Sequence, residues 1–135
     1  MVLTLMSFIH YILFFSSIVF YIEATTSSIS QSQSLSFGKT IVSPRGTFEL
    51  GFFNLRNPNK SYLEIWFKNI QSQDIVWVAN GGNTINDSSA LLRLNSSGHL
   101  VLMHNTTVVW FTSSPKEAKN PLTELLDSGN LEIRE

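Results

Sequence analysis

The chain has 135 residues, no cysteine, 10 acidic and 9 basic side chains, and a formal charge of −1. That length has room for one domain, and the near-neutral balance speaks against nucleic acid or an acidic membrane surface as partner. Without cysteine there are no disulfide staples, so the fold must rest on its apolar core.

Residues 1–22 carry no charged side chain, and their densest apolar run is Tyr11 to Phe20. Glu23-Ala24 then gives way to the polar run Thr25-Thr26-Ser27-Ser28. This profile predicts a secretory signal peptide over residues 1–24, cleaved after Ala24. The competing reading is an uncleaved membrane anchor, because about 20 apolar residues can span a bilayer. Cleavage removes Glu23 and leaves nine acids facing nine bases. Residues 25–36 are rich in Ser, Thr and Gln and read as extended or disordered. Residues 25–34 are thus a flexible lead-in to a domain over residues 35–135.

From Leu35 onward β signals dominate. Thr40-Ile41-Val42 is a short strand ended by the turn Ser43-Pro44-Arg45-Gly46. Thr47 to Phe53 alternates, with Phe48, Leu50 and Phe52 on one face. Gly51 in that strand signals a close approach of neighbouring backbone. Past the polar loop Asn54 to Ser61, strands follow at Tyr62 to Phe67 and Asp74 to Ala79. The turn Asn80-Gly81-Gly82-Asn83 leads to Ala90 to Leu94, His99 to Met103 and Thr107 to Phe111. After a loop at Pro115 to Pro121, Glu124 to Leu126 and Asn130 to Arg134 form a last hairpin around Asp127-Ser128-Gly129. Asp127 is expected to bond its own turn's backbone. No segment past the leader has a 3.6-residue apolar period, so the class is all-β.

One pattern occurs three times: Arg45-Gly46-Thr47-Phe48-Glu49-Leu50, Ser97-Gly98-His99-Leu100-Val101-Leu102 and Ser128-Gly129-Asn130-Leu131-Glu132-Ile133. Each is a glycine turn, a polar residue or histidine, then an alternating strand. A supersecondary unit recurring at this spacing predicts a β-prism with three faces around a pseudo-threefold axis. Trp66, Trp77 and Trp110 follow the first two copies and are expected to point inward and pack together as core. Four N-glycosylation sequons, at Asn59, Asn86, Asn95 and Asn105, all fall in polar turns. They agree with a secreted chain.

Four blocks are more specific. Phe48-Glu49-Leu50-Gly51-Phe52-Phe53, Tyr62-Leu63-Glu64-Ile65-Trp66-Phe67, Ile75-Val76-Trp77-Val78-Ala79-Asn80 and Leu125-Leu126-Asp127-Ser128-Gly129-Asn130-Leu131 stand in this order. They strongly resemble the bulb-type lectin domain of plant S-locus glycoproteins and G-type lectin S-receptor-like serine/threonine kinases. The resemblance runs from about Ile29 to Glu135. It implies a β-prism of the monocot mannose-binding lectin type and an extracellular position. In longer members further extracellular modules, a membrane span and a kinase follow. It also implies that the chain is truncated before a Trp-containing segment that closes the domain, so the last face is expected to be incomplete.

Mannose-binding members carry the site Gln-x-Asp-x-Asn-x-Val-x-Tyr. Alternate strand residues share a face, and their amide and carboxylate groups meet sugar hydroxyls. In the middle repeat these places fall on Asn95, Ser97, His99, Val101 and Met103, and only Val101 is retained. In the last they fall on Leu126, Ser128, Asn130, Glu132 and Arg134, with Asn130 retained. In the first they fall on Ser43, Arg45, Thr47, Glu49 and Gly51, with none retained. The residues carried forward as a degenerate carbohydrate site are therefore Asn95, Ser97, His99, Val101, Met103 and Asn130. Each lost hydrogen bond costs about 0.5–1.5 kcal/mol, which a shallow monosaccharide site does not recover.

The histidines His99 and His104 are five apart and do not share a strand face, so no metal site is expected. The acids are scattered, and no nucleophile stands with a base. The sequence thus points to a non-catalytic extracellular recognition module without cofactor. Its expected partner is a glycan or an extracellular protein or peptide. The alternative is a membrane-anchored or unstable truncated product with no binding role.

Overall fold

The computed structural model describes residues 25–54, 57, 59–72, 74–113 and 117–135. The signal peptide expected over residues 1–24 lies outside these. Eleven strands are present and no helix among the described residues. The N-terminal strands are β1 (Ser28–Ser30), β2 (Ser34–Ser36) and β3 (Thr40–Val42). The first large hairpins are β4 (Phe48–Phe53), β5 (Tyr62–Phe67) and β6 (Ile75–Val78). Then come β7 (Ala90–Leu94), β8 (Leu100–His104), β9 (Thr107–Phe111), β10 (Leu122–Leu125) and β11 (Leu131–Arg134).

They form three antiparallel sheets in the orders β3-β4-β5-β6, β2-β7-β8-β9 and β1-β10-β11. The three faces of a prism are therefore present. Each sheet opens with one short N-terminal strand, so residues 25–36 are not a loose lead-in. This corrects the expectation of a flexible segment. Serines made the stretch look disordered, but each strand hides a single apolar anchor, Ile29 or Leu35, both buried. Period-2 patterning over three residues leaves room for only one such signal.

The buried core draws on all three sheets: Ile41, Leu50, Leu63 and Ile65 from the first, Leu92, Leu100 and Leu102 from the second, Leu125 from the third, with Trp77, Trp110 and Ile133 of the edge strands half-buried against it. β7 alternates plainly, with Ala90, Leu92 and Leu94 buried and Leu91 and Arg93 exposed. One polar residue ties a long loop to this core. Asn80 is buried, accepts from the Leu63 amide at 2.8 Å, and donates to the carbonyls of Ser61 and Asn83 at 3.3 and 2.8 Å.

The three glycine turns are equivalent in backbone. The amides of Gly46, Gly98 and Gly129 donate to the carbonyls of Ser43, Asn95 and Leu126. Their φ angles are 76°, 81° and 84°, the left-handed region that glycine occupies without a Cβ penalty. The hairpins differ by one residue, however. The pairs Leu94↔Leu100 and Leu125↔Leu131 flank five-residue turns, whereas Val42↔Glu49 flanks six. The first repeat therefore holds one extra residue, and β3 enters its sheet with the opposite parity.

The tryptophans divide. Trp77 stands opposite Ile65 and Trp110 opposite Leu102, in each case beside a β-bulge. Their rings meet edge to face at 5.5 Å. Trp66 does not join them, which corrects the expectation of a three-tryptophan core. Leu63 and Ile65 take the inward positions of β5, so Trp66 points to the other side of its sheet. There it packs on Phe53 at 5.8 Å and is buried all the same.

Candidate functional site

The outward faces of the three sheets hold the places expected to form sugar sites. On the first sheet, Gly51 carries no side chain, and the Trp66 ring and the Thr40 methyl occupy the space a Cβ would need. Glu49 takes a hydrogen bond from the Thr40 hydroxyl at 2.6 Å, and Glu64 is buried between the strands of Gly51 and Val78. Ser43 turns inward, its Oγ accepting from the Phe48 amide at 3.0 Å. Trp66 thus fills the first face, and the five carried-over positions do not converge on a ligand.

On the third sheet, Arg134 reaches Glu124 at 3.3 Å and Glu132 at 3.4 Å. An ion-pair cluster stands where valine and tyrosine would serve a mannose. Asn130 is exposed, and its amide meets the Ser128 hydroxyl at 3.4 Å. It lies at the mouth of a groove of about 510 Å³ that also holds Trp77, Trp110, Leu131 and Ile133.

The middle sheet is the one open face with a built end. Asn95 Oδ1 accepts from the amides of Ser97 and His99 at 3.1 and 2.8 Å, so it closes its own turn. His99 Nδ1 lies 2.9 Å from the Thr112 carbonyl. A carbonyl can only accept, so Nδ1 carries the proton and Nε2 is left as the acceptor of the neutral ring. Val101 and Met103 follow on the same face, both half-buried. The structure therefore brings Asn95, Ser97, His99, Val101 and Met103 onto one surface, with Asn130 on another sheet.

Two residues missed by the sequence reading complete this surface. Register places Ser34, Arg93, Val101 and Phe111 in one row across β2, β7, β8 and β9. Phe111 is 62% exposed. No carboxylate is paired with Arg93 among the described residues. The signal was available: Arg93 interrupts an otherwise apolar Ala-Leu-Leu-Arg-Leu run, and Phe111 alternates with inward Trp110. At the far end of β8, His104 Nε2 meets Asp87 at 3.0 Å, and Ser89 bonds the same carboxylate through hydroxyl and amide. The Ser89 hydroxyl first, then its amide and His104, hold the Asp87 carboxyl down at about 2. Among the described residues no three His, Asp or Glu side chains converge as a metal site.

A family profile described as D-mannose binding lectin matches residues 74–135. Two G-type lectin S-receptor-like serine/threonine-protein kinases of Arabidopsis thaliana are 38% identical over 125 residues and 43% identical over 106. These alignments take in 89% and 78% of this chain. This chain carries a bulb-type lectin domain. It spans 15% and 13% of the length of those two relatives. A monomeric monocot mannose-binding lectin from Gastrodia elata superposes with a TM-score of 0.62 at 17% identity, covering 82% of this chain and 87% of that one. That likeness establishes the β-prism of the bulb-type lectin domain.

Proposed function

We propose that this bulb-type lectin domain is a non-catalytic extracellular recognition module, the binding part of an S-domain receptor kinase or S-locus-type glycoprotein, and that it does not hold mannose firmly. The observation that carries the reading is the fate of the three faces. Trp66 fills the first, the Arg134 cluster occupies the third, and on the middle face the Asn95 carbonyl oxygen is engaged by its own turn. Ser97 is too short to replace a carboxylate, and Met103 supplies no hydroxyl. Asn95, Ser97, His99, Val101 and Met103 form the one outward surface of the three left to meet a glycan or an extracellular protein, and Asn130 lies apart from them.

Secretion is supported by the leader-like residues 1–24 and by the sequons. Asn59, Asn86 and Asn105 are exposed, where a glycan finds room; Asn95 is half-buried. One preparation tests the whole reading. The chain is expressed through a secretory pathway, its amino terminus is sequenced, and it is passed over immobilised mannose. The expected result is a terminus at Thr25 and elution in the flow-through. Retention that free mannose reverses would overturn the loss of the sites, and an intact Met1 on membranes would overturn secretion.

A further inference from the structure

The middle face has a chemistry of its own, and the geometry points to a uronate-bearing oligosaccharide as its ligand. This rests on the recognition reading above and narrows it to a substrate class. The row Ser34, Arg93, Val101, Phe111 crosses four strands, so it spans about 14 Å at the usual interstrand spacing. That is long enough for more than one sugar ring. The neighbouring row Ser36, Leu91, Met103, Val108 is set by the same ladders. Neither row holds a carboxylate.

The row changes character along its length. Phe111 and Val101 present apolar surface, suited to the C–H face of a pyranose ring. Arg93 presents a planar guanidinium, whose fork matches a carboxylate in bidentate fashion. Beyond Arg93 a cleft of about 600 Å³ continues to Gln31, Gln33, Ser34, Asn95 and Ser96. Its polar groups are held in place. Gln31 Nε2 donates to the Asn95 carbonyl at 3.1 Å, which leaves Gln31 Oε1 to accept. Gln33 Oε1 takes the Ser30 amide and hydroxyl at 3.0 and 3.1 Å, which leaves Gln33 Nε2 to donate. A neutral mannose offers Arg93 hydroxyl acceptors but no carboxylate to pair with its charge. An acidic peptide offers a carboxylate but no ring of hydroxyls for the amide-lined cleft. A sugar acid meets the aromatic, the cation and the amides together.

The test is calorimetric titration of the secreted chain with four probes: a galacturonate trisaccharide, the same trisaccharide with its carboxyls reduced, a mannose trisaccharide and a triglutamate peptide. The expected result is binding of the galacturonate alone, weakened by added salt because Arg93 is exposed. Arg93→Gln should weaken it about 10- to 100-fold, the loss of a charge-assisted pair. Phe111→Ala should weaken it too, and Glu132→Gln on the third face should leave it unchanged. Equal binding of the carboxyl-reduced sugar or of triglutamate would overturn the proposal, as would an Arg93→Gln protein that binds like the parent. So would a glycan found on Asn95 by mass spectrometry, since it would cover the cleft. No binding of any probe would sink the uronate assignment and leave the loss of mannose binding standing. Firm mannose binding would instead overturn the loss of the mannose sites on which this narrowing rests.

Discussion

Single atoms decide the first face. A Cβ at Gly51 would lie 2.8 Å from the Thr40 methyl and 3.0 Å from the Trp66 ring. Trp66 is buried, and Thr40, though exposed, would have to turn its methyl away at the expense of its hydrogen bond to Glu49, so neither yields freely. Gly51→Ala is expected to destabilise by about 1–3 kcal/mol, the range for overpacking, read as a lower urea midpoint at unchanged slope. The sequence flagged Gly51 as a point of close approach, and it is one. What approaches is the Thr40 methyl and the Trp66 ring, with the backbone carbonyl oxygen of Lys39 next at 3.4 Å; the ring is what pairing to β5 alone could not reveal. Asp87 makes a second residue-scale case. Its carboxyl titrates near 2 in the fold against the ordinary 3.8. A depressed acid pKa contributes stability that is fully present above 3.8 and is lost as the pH falls toward 2. Asp87→Asn should therefore lower stability at neutral pH and flatten the acid limb between about pH 4 and pH 2, so that variant and parent converge as the pH falls toward 2. Urea midpoints across that range check it, and an unchanged acid limb would contradict the assignment.

At the scale of elements, Trp77 and Trp110 show what repeat equivalence means physically. Both edge strands carry tryptophan opposite an inward aliphatic residue and beside a bulge, so their rings converge between two sheets. Ile133 is the matching inward residue of β11 and faces the same groove. Because the ring contact joins two sheets, replacing each tryptophan by alanine singly and together should give a coupling of about 0.5–1.5 kcal/mol. Additive effects would show that each ring only covers its own sheet. The longer strands and their turns were legible because alternation over four or more residues separates the two faces. β1 and β2 were not, since three residues give one apolar anchor each. Nor was the parity of β3, because the extra residue of the first hairpin breaks the spacing that the other two share. The same slip turns Ser43 inward, so that one place of the transferred sugar site does not face outward as Asn95 does in the middle repeat.

For the molecule as a whole, the question is how three sheets hold a common register when each contributes its own hairpin. Part of the answer lies where the turns of the first and third repeats meet. Asp127 was expected to bond within its own turn. Instead its Oδ1 accepts from the Arg45 amide at 2.8 Å, 82 residues away. The Phe48 ring lies 3.2 Å from the place of a Cβ on Gly129, so the same two turns are also in contact through carbon. The Arg45 side chain adds little: it is 87% exposed and only 4.0 Å from the carboxylate. The bond to the backbone and the ion pair can therefore be separated by mutation. Asp127→Ala removes the acceptor of a backbone amide and should cost about 1–1.5 kcal/mol. Arg45→Ala keeps the amide and its acceptor and should change stability by less than about 0.5 kcal/mol. Hydrogen exchange adds the location: in Asp127→Ala the Arg45 amide should lose protection, and in Arg45→Ala the amide at that position should keep it. Equal losses in the two variants would mean that the charge pair, not the backbone bond, joins the first sheet to the third.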